Sequence, residues 1–231
     1  MANMHDTYEF LKLLAVNNNR EWFNANKAEY QELRKAWEND ISRLLSLMGE
    51  YDESLRGLQV KDCAYRIYRD VRFSADKSPY KTYFSAVLGK KGRKCIQAAC
   101  YLHMAPGESG LHAGIWWPEN EILSRLRSEI DANADEFKAI LANPELSSSF
   151  RFYGDKLKVV PRGYSKENPN AELIKMKEYL CQKPVDDSYF FCENWVEKVA
   201  EDFKKVQDFN RFLNYVFEDW CKVAWLLVFV I

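Results

Sequence analysis

Between residues 65 and 84 the chain reads YRIYRDVRFSADKSPYKTYF. The cations Arg66, Arg69, Arg72, Lys77 and Lys81 are opposed there only by Asp70 and Asp76. The rings of Tyr65, Tyr68, Phe73, Tyr80, Tyr83 and Phe84 are interleaved with them. A guanidinium grips phosphate or carboxylate through paired N–H donors, and a lysine adds a point charge. Rings at the same place can stack on a base or on the guanidiniums. The rest of the chain gives no general reason for such a cluster. With 33 basic and 34 acidic residues the net charge is −1 over 231 residues. A generally basic nucleic-acid binder is therefore excluded, and any cationic site must be local.

Residues 65–73 fit a strand better than a helix, because a helix scatters their apolar side chains. As a strand, Tyr65, Ile67, Arg69, Val71 and Phe73 share one face, and Arg66, Tyr68, Asp70 and Arg72 share the other. SADKSP (74–79) is a turn. The returning strand places Lys81 and Tyr83 on one face and Tyr80, Thr82 and Phe84 on the other. Such a hairpin brings Lys77 or Lys81 near the arginine face. Two readings stay open. In one, Arg66, Arg72 and Lys81 grip an anion, Asp70 orients the arginines, Tyr68 or Tyr80 is a stacking wall, and Arg69 and Lys77 stand nearby. In the other, Arg66, Asp70 and Arg72 form a satisfied ion-pair network, with Arg69 paired to a helix carboxylate.

Three further residues are candidates for the same pocket. VPRGYS (160–165) offers Arg162 and Tyr164 beside Gly163, where the backbone can approach a ligand closely; a plain turn is the alternative. Trp117 is either core at a strand end or a wall of the pocket. For catalysis the candidates are Asp70, Asp76 and His103 as acid–base groups, although arginine neighbours lower a carboxyl pKa and weaken it as a base. Cys100 and His103, three apart on a strand, point to opposite faces and make no dyad. His103 and His112 could face each other across the 104–111 turn with Cys100 or Glu108. No metal is expected, because His5, His103 and His112 lack ligand spacing. No phosphate loop, dinucleotide fingerprint or nucleophile elbow is present, and no cofactor is indicated.

The elements that must hold these residues are legible in outline. Asp6 with Glu9 reads as a capping box for a first helix, and Asn19 as the cap of the next. Steps of 3 and 4 from Tyr30 through Leu33, Trp37, Ile41, Leu44, Leu45 and Met48 predict a long amphipathic helix ending at Gly49. A meander is expected over about 64–73, 81–88, 93–103 and 111–117, turning at GKKG (89–92) and APGESG (105–110). Pro118 then suits a helix start. Asn133 with Glu136 reads as another capping box, and Pro144 stops that helix. LKVV (157–160) reads as a strand, 161–169 as a loop, 170–182 as a helix, and about 188–218 as a last helical region. With 47% hydrophobic and 15% aromatic residues, a substantial core is available. The expectation is one α+β domain over 1–231, an antiparallel meander flanked by helices.

The opening MANMHDTYEF lacks the pattern of a signal peptide, and six dispersed cysteines without C-x-x-C read as reduced thiols, so a cytoplasmic protein is expected. The apolar run AWLLVFVI (224–231) falls far short of the roughly 20 residues that span a bilayer. It reads as a buried terminal strand or helix end, with a partner-binding tail as the alternative; no membrane association is expected.

Four segments, NNNREWF (17–23), KDCAYRIYRDVRFSADKSPYKTYF (61–84), YLHMAPGESGLHAGIWWP (101–118) and VPRGYSKENPNAELIKMK (160–177), closely resemble the family catalogued as domain of unknown function 2461. The likeness covers about 5–217; the tail at 218–231 departs from it. The resemblance implies a single cytosolic-type domain and no particular activity. The leading reading is recognition of an anionic small molecule or a single-stranded nucleic acid at the Arg/Lys/Tyr cluster. The alternatives are an enzyme acting on such a ligand, or an interaction protein whose cluster is structural. The sequence does not indicate an oligomeric state.

Overall fold

The computed structural model describes residues 4–228, with side chains placed through 218. It is an α+β domain with, among the described residues, ten α-helices and one five-stranded antiparallel sheet. The helices are α1 (Met4–Val16), α2 (Arg20–Ala25), α3 (Lys27–Met48), α4 (Val60–Cys63), α5 (Asn120–Ala132), α6 (Ala134–Ala142), α7 (Pro144–Ser147), α8 (Ala171–Ile174), α9 (Trp195–Lys205) and α10 (Gln207–Val228). The strands are β1 (Phe84–Leu88), β2 (Ala99–Met104), β3 (Gly110–Ile115), β4 (Arg151–Tyr153) and β5 (Tyr179–Pro184), in the order β1-β2-β3-β5-β4. No helix among the described residues is long and apolar enough to cross a membrane. The chain divides into two compact units: residues 4–95, 100–111 and 184–204, and residues 96–99, 112–183 and from 205 onward.

In the first unit, α3 supplies the backing for the strands. Its residues Leu33, Trp37, Ile41, Leu44, Leu45 and Met48 recur at helical spacing and are all buried. Trp37 packs its ring 5.2 Å from that of Phe84 and donates Nε1–H to the Met104 sulfur at 3.0 Å. β1 and β2 pair antiparallel with Phe84 opposite Met104, Ser85 opposite His103 and Val87 opposite Tyr101. Alternation along β2 buries Cys100, Leu102 and Met104 and leaves Tyr101 and His103 half-exposed on the other face, as strand geometry requires. Asn19 caps α2 by accepting the Trp22 N–H at 2.9 Å. On α9, Trp195, Val199 and Phe203 form the expected buried stripe.

In the second unit, α10 packs on α5 and α6, with Phe212 5.0 Å from Phe137. Gly114 of β3 (φ +120°) lies against β5 so closely that a Cβ would stand 2.1 Å from the Tyr179 carbonyl oxygen, a contact only glycine permits.

Several local expectations are corrected. Residues 64–69 pair with the returning segment without forming a regular strand, and residues 70–73 belong to a turn. Tyr65 N–H donates to the Ser85 carbonyl at 2.9 Å, Lys81 N–H to Ile67 at 2.8 Å and Arg69 N–H to Pro79 at 2.9 Å. Arg66 alone separates the first two partners on one side, whereas residues 82–84 separate them on the other. The bulge breaks the ladder into isolated bridges, Ala64 with Ala86 and Tyr68 with Tyr80. The next three strands are shorter than expected, because residues 92–94 form a 3₁₀ turn and β1, β2 and β3 begin or end inside the expected ranges. Asp6 sits inside the first turn of α1, which starts at Met4. Pro118 precedes the Glu119 cap of α5. Asn133 occupies the cap position of α6, but its side chain donates to Glu129 at 2.7 Å. Pro144 starts α7 after α6 has ended. Residues 157–160 are not a strand. The span 170–182 is split between the short α8 and β5, whose consecutive residues Tyr179, Leu180 and Cys181 are all buried and which pairs with a three-residue neighbour, β4. Residues 188–218 break into a 3₁₀ turn, α9 and α10. The backbone of α10 runs helical to Val228, and the burial of the apolar run 224–231 lies outside the described residues.

Candidate functional site

The site grows out of the broken pairing between residues 64–69 and 79–86. Arg34 of α3 donates Nε–H to Glu38 at 2.6 Å and Nη1–H to the Tyr65 carbonyl at 2.8 Å, which fixes the start of the segment on the helix. At the other strand, Asn18 acts as a short substitute for a β-partner. Its Nδ2–H donates to the Tyr80 carbonyl at 2.9 Å, and its Oδ1 accepts the Tyr80 N–H at 3.1 Å. Tyr80 is only 4% exposed and stacks on Phe23 with ring centroids 3.9 Å apart. It is therefore core, not a free stacking wall.

The turn at 70–78 holds itself together. Asp76 accepts the Ser78 N–H and hydroxyl through Oδ1 at 2.9 and 2.6 Å, and pairs with Arg69 through Oδ2. Asp70 holds Arg72 in a two-point ion pair at 3.0 and 2.6 Å. Lys77 folds back to the Val71 carbonyl at 2.9 Å. These bonds push both carboxyls below the ordinary carboxylate range. For Asp70 the Arg72 side chain is the largest cause; for Asp76 it is Ser78, followed by Arg69. Both are poor proton acceptors at neutral pH. Arg69 thus pairs with a carboxylate of its own turn, not with a helix carboxylate. Phe73, at 96% exposure, stands clear of the sheet, and Tyr68 is 47% exposed at the edge of the Phe23–Tyr80 pair.

Lys81 is different: it is half-buried, yet its ammonium has no hydrogen bond or ion pair among the described residues. The nitrogen lies 4.6 Å from the centre of the Tyr65 ring and 5.8 Å from that of Tyr83. Arg93 stands over the same Tyr65 ring at 5.8 Å. Desolvation lowers the Lys81 pKa, and Arg66, Arg93 and Arg34 lower it further. Arg66 is exposed and, among the described residues, has no ion pair or hydrogen bond. Arg93 arrives because Gly92, at φ +57°, packs so tightly that a Cβ would sit 2.3 Å from the Asp62 oxygen. The guanidinium then donates to the carbonyls of Lys61 and Asp62, at the end of α4, at 2.8 and 3.3 Å.

Lys81 also lines an open cleft of about 510 Å³ together with Asn18, Arg69, Asp76, Tyr80 and Tyr83. Beyond Tyr83 the polar face continues into His103, whose ring lies 4.5 Å from Tyr83 and whose Nδ1 shares a hydrogen bond with the Tyr101 hydroxyl at 3.1 Å. Burial lowers the His103 pKa, so the imidazole is neutral at pH 7. His112 has its own neighbour, the Tyr153 hydroxyl at 3.1 Å. Among the described residues no group of three or more His, Cys, Asp or Glu side chains could hold a metal.

Of the sequence-derived candidates, Arg69, Asp70, Asp76, Tyr80 and Lys81 line the cleft. Arg66 joins through its charge on Lys81. Arg72 and Lys77 belong to the turn. Trp117 is 85% exposed, with φ +42°, and is neither core nor part of the cleft lining. Arg162 is exposed, and the Tyr164 hydroxyl pairs with that of Ser128 at 3.2 Å; neither lines the cleft. Sequence reasoning missed Arg93, Tyr65 and Asn18 as site residues. The shared face of Lys81 and Tyr83 was readable from alternation, but nothing local announces that a hairpin-loop arginine will cap α4 and reach Tyr65.

The architecture is that of an α+β protein with an unpaired cation beside tyrosines on its sheet edge. The family model for the conserved hypothetical protein DUF2461 matches residues 6–212, and the chain belongs to that family. No curated protein and no solved structure matches it.

Proposed function

We propose that this protein binds an anionic ligand, phosphate- or carboxylate-bearing, at Lys81, Arg66 and Arg93, with Tyr65 and Tyr83 as the walls. The observation that carries the reading is the half-buried Lys81 ammonium, which has no hydrogen bond or ion pair among the described residues and feels the charges of Arg66, Arg93 and Arg34. Gathering like charges costs stability, and an anion arriving beside Lys81, at the margin of the cleft, reverses that cost. Asp70, Asp76, Arg69, Arg72 and Lys77 are assigned to building the turn, because each is engaged there. A small molecule is favoured over a single-stranded nucleic acid. The stacking surface near the cation is limited to two half-buried tyrosines, and Tyr80 is taken up by Phe23.

The test is thermal unfolding of the purified protein with inorganic phosphate, a nucleoside monophosphate, a sugar phosphate, a dicarboxylate and a short oligodeoxynucleotide. Ligands that bind only the native state raise the Tm as their concentration passes Kd. The wild type is expected to rise with at least one small anion, and Lys81→Met to show no rise. If no anion moves the wild type, the reading is wrong. An oligonucleotide response that outstrips the small anions and falls steeply with salt would replace the small-molecule reading with a nucleic-acid one.

A further inference from the structure

We propose that Lys81 is a nucleophilic amine, so that the ligand is an aldehyde or ketone carrying a phosphate or carboxylate, captured as an imine. This rests on the anion-site reading above and names the chemistry of the ligand's other end.

Lys77 takes the Val71 carbonyl at 2.9 Å, Lys156 takes Glu172 at 3.0 Å, and Lys12 takes Glu9 at 2.8 Å. Each of these three is held by an oxygen of the fold. Lys81 has none among the described residues, yet it is half-buried and lines a cleft that a small molecule can enter.

Its surroundings act on the charge in opposing directions. The faces of Tyr65 and Tyr83 favour the ammonium by cation–π attraction. Desolvation and the charges of Arg66, Arg93 and Arg34 disfavour it, and the net effect is a pKa below the ordinary lysine value. A desolvated lysine beside other cations is a recognised form of activated amine nucleophile. The arginines stay charged at any ordinary pH. Arg66, which has no ion pair or hydrogen bond among the described residues, can therefore hold the ligand's anion while the amine carries the lone pair.

The step balances without a co-reactant. The neutral amine adds through its lone pair to the carbonyl carbon. The carbonyl π pair moves to oxygen, and a proton passes from nitrogen to that oxygen to give a carbinolamine. The nitrogen lone pair then forms the C=N bond that joins Lys81 to the ligand as the hydroxyl leaves, and the proton remaining on nitrogen passes through solvent to that hydroxyl, so that one water is released. Nothing is oxidised or reduced.

The experiment uses the full chain with three carbonyl probes: pyridoxal 5′-phosphate, glyoxylate, and propionaldehyde, which has no anion. Each mixture is reduced with sodium borohydride, digested, and mapped by mass spectrometry. The expected result is an adduct at Lys81 at least about tenfold above Lys77 or Lys12 at low probe concentration. The anionic probes should surpass propionaldehyde, and inorganic phosphate should suppress labelling. Lys81→Arg keeps a cation but cannot form an imine. It should lose the adduct while its Tm without ligand stays close to that of the wild type, which shows that the variant folds. Adducts spread over the exposed lysines, alongside a phosphate-dependent Tm rise, would overturn the imine and leave the anion site standing. Selective labelling of Lys81 that is equal with propionaldehyde and indifferent to phosphate would keep the nucleophile and overturn the anion site.

Discussion

Asn18 shows how one side chain can do the work of a strand. Its amide meets both the N–H and the C=O of Tyr80, so the residue just before Lys81 is held in the extended state where the regular ladder has failed. Removing the amide leaves two backbone groups in a half-buried place with no partner, at about 1–3 kcal/mol for a buried group left unpaired. Asn18→Ala is therefore expected to lower unfolding free energy by about 1–2 kcal/mol in urea titration, at the low end because water reaches the open cleft. Asn18→Asp, which keeps the acceptor and loses the donor, should fall in between. An unchanged midpoint in Asn18→Ala would show that Phe23 alone holds Tyr80. At this scale the sequence was partly readable. Alternation put Lys81 and Tyr83 together, and NNN marked a break. That the break would clamp a residue some sixty positions later depends on tertiary packing, which no local pattern contains.

Among the elements, the contrast lies between α3 and the segment 64–73. The helix was legible because its buried residues follow the 3.6-residue period and Gly49 ends it. The segment was misread as a regular strand because its alternation is real only as far as Tyr68. Ile67 is buried and Arg66 and Tyr68 are exposed, but beyond Arg69 the chain leaves the sheet and Phe73 faces solvent. Gly92 is the joint that makes the neighbouring hairpin loop useful. Its positive φ and its 2.3 Å clearance from Asp62 to a built Cβ allow Arg93 to reach the end of α4. Gly92→Ala combines strain at positive φ with a backbone clash. It should destabilise the protein by more than about 1 kcal/mol, and if anions bind as proposed it should weaken their Tm shift by displacing Arg93. Calorimetry of the variant with and without phosphate checks both. A variant as stable as wild type would mean that the loop relaxes at no cost.

For the whole molecule, the α+β class and the antiparallel sheet were legible from runs of helical spacing on either side of short turn-bounded strands. The placement of β5 was not, because NPNAELIKMK reads as a longer helix than the four residues that form one. Near-zero net charge also told in advance that any cationic site would be small and local. One feature of that site reaches the level of chain connectivity. The 70–78 turn is tied by its own side chains, while the strands beneath it are anchored separately, by Arg34 at Tyr65 and by Asn18 at Tyr80. The peptide bonds at its tip therefore carry little of the fold. A thrombin site inserted after Phe73 should be cut quickly in the native protein, and the two fragments should co-elute as one species on gel filtration and melt together. Fragments that drift apart would show that the tip is a tether. If they stay joined, the protein is in physical terms already an assembly of two pieces, and new termini could be opened there while the cleft stays intact.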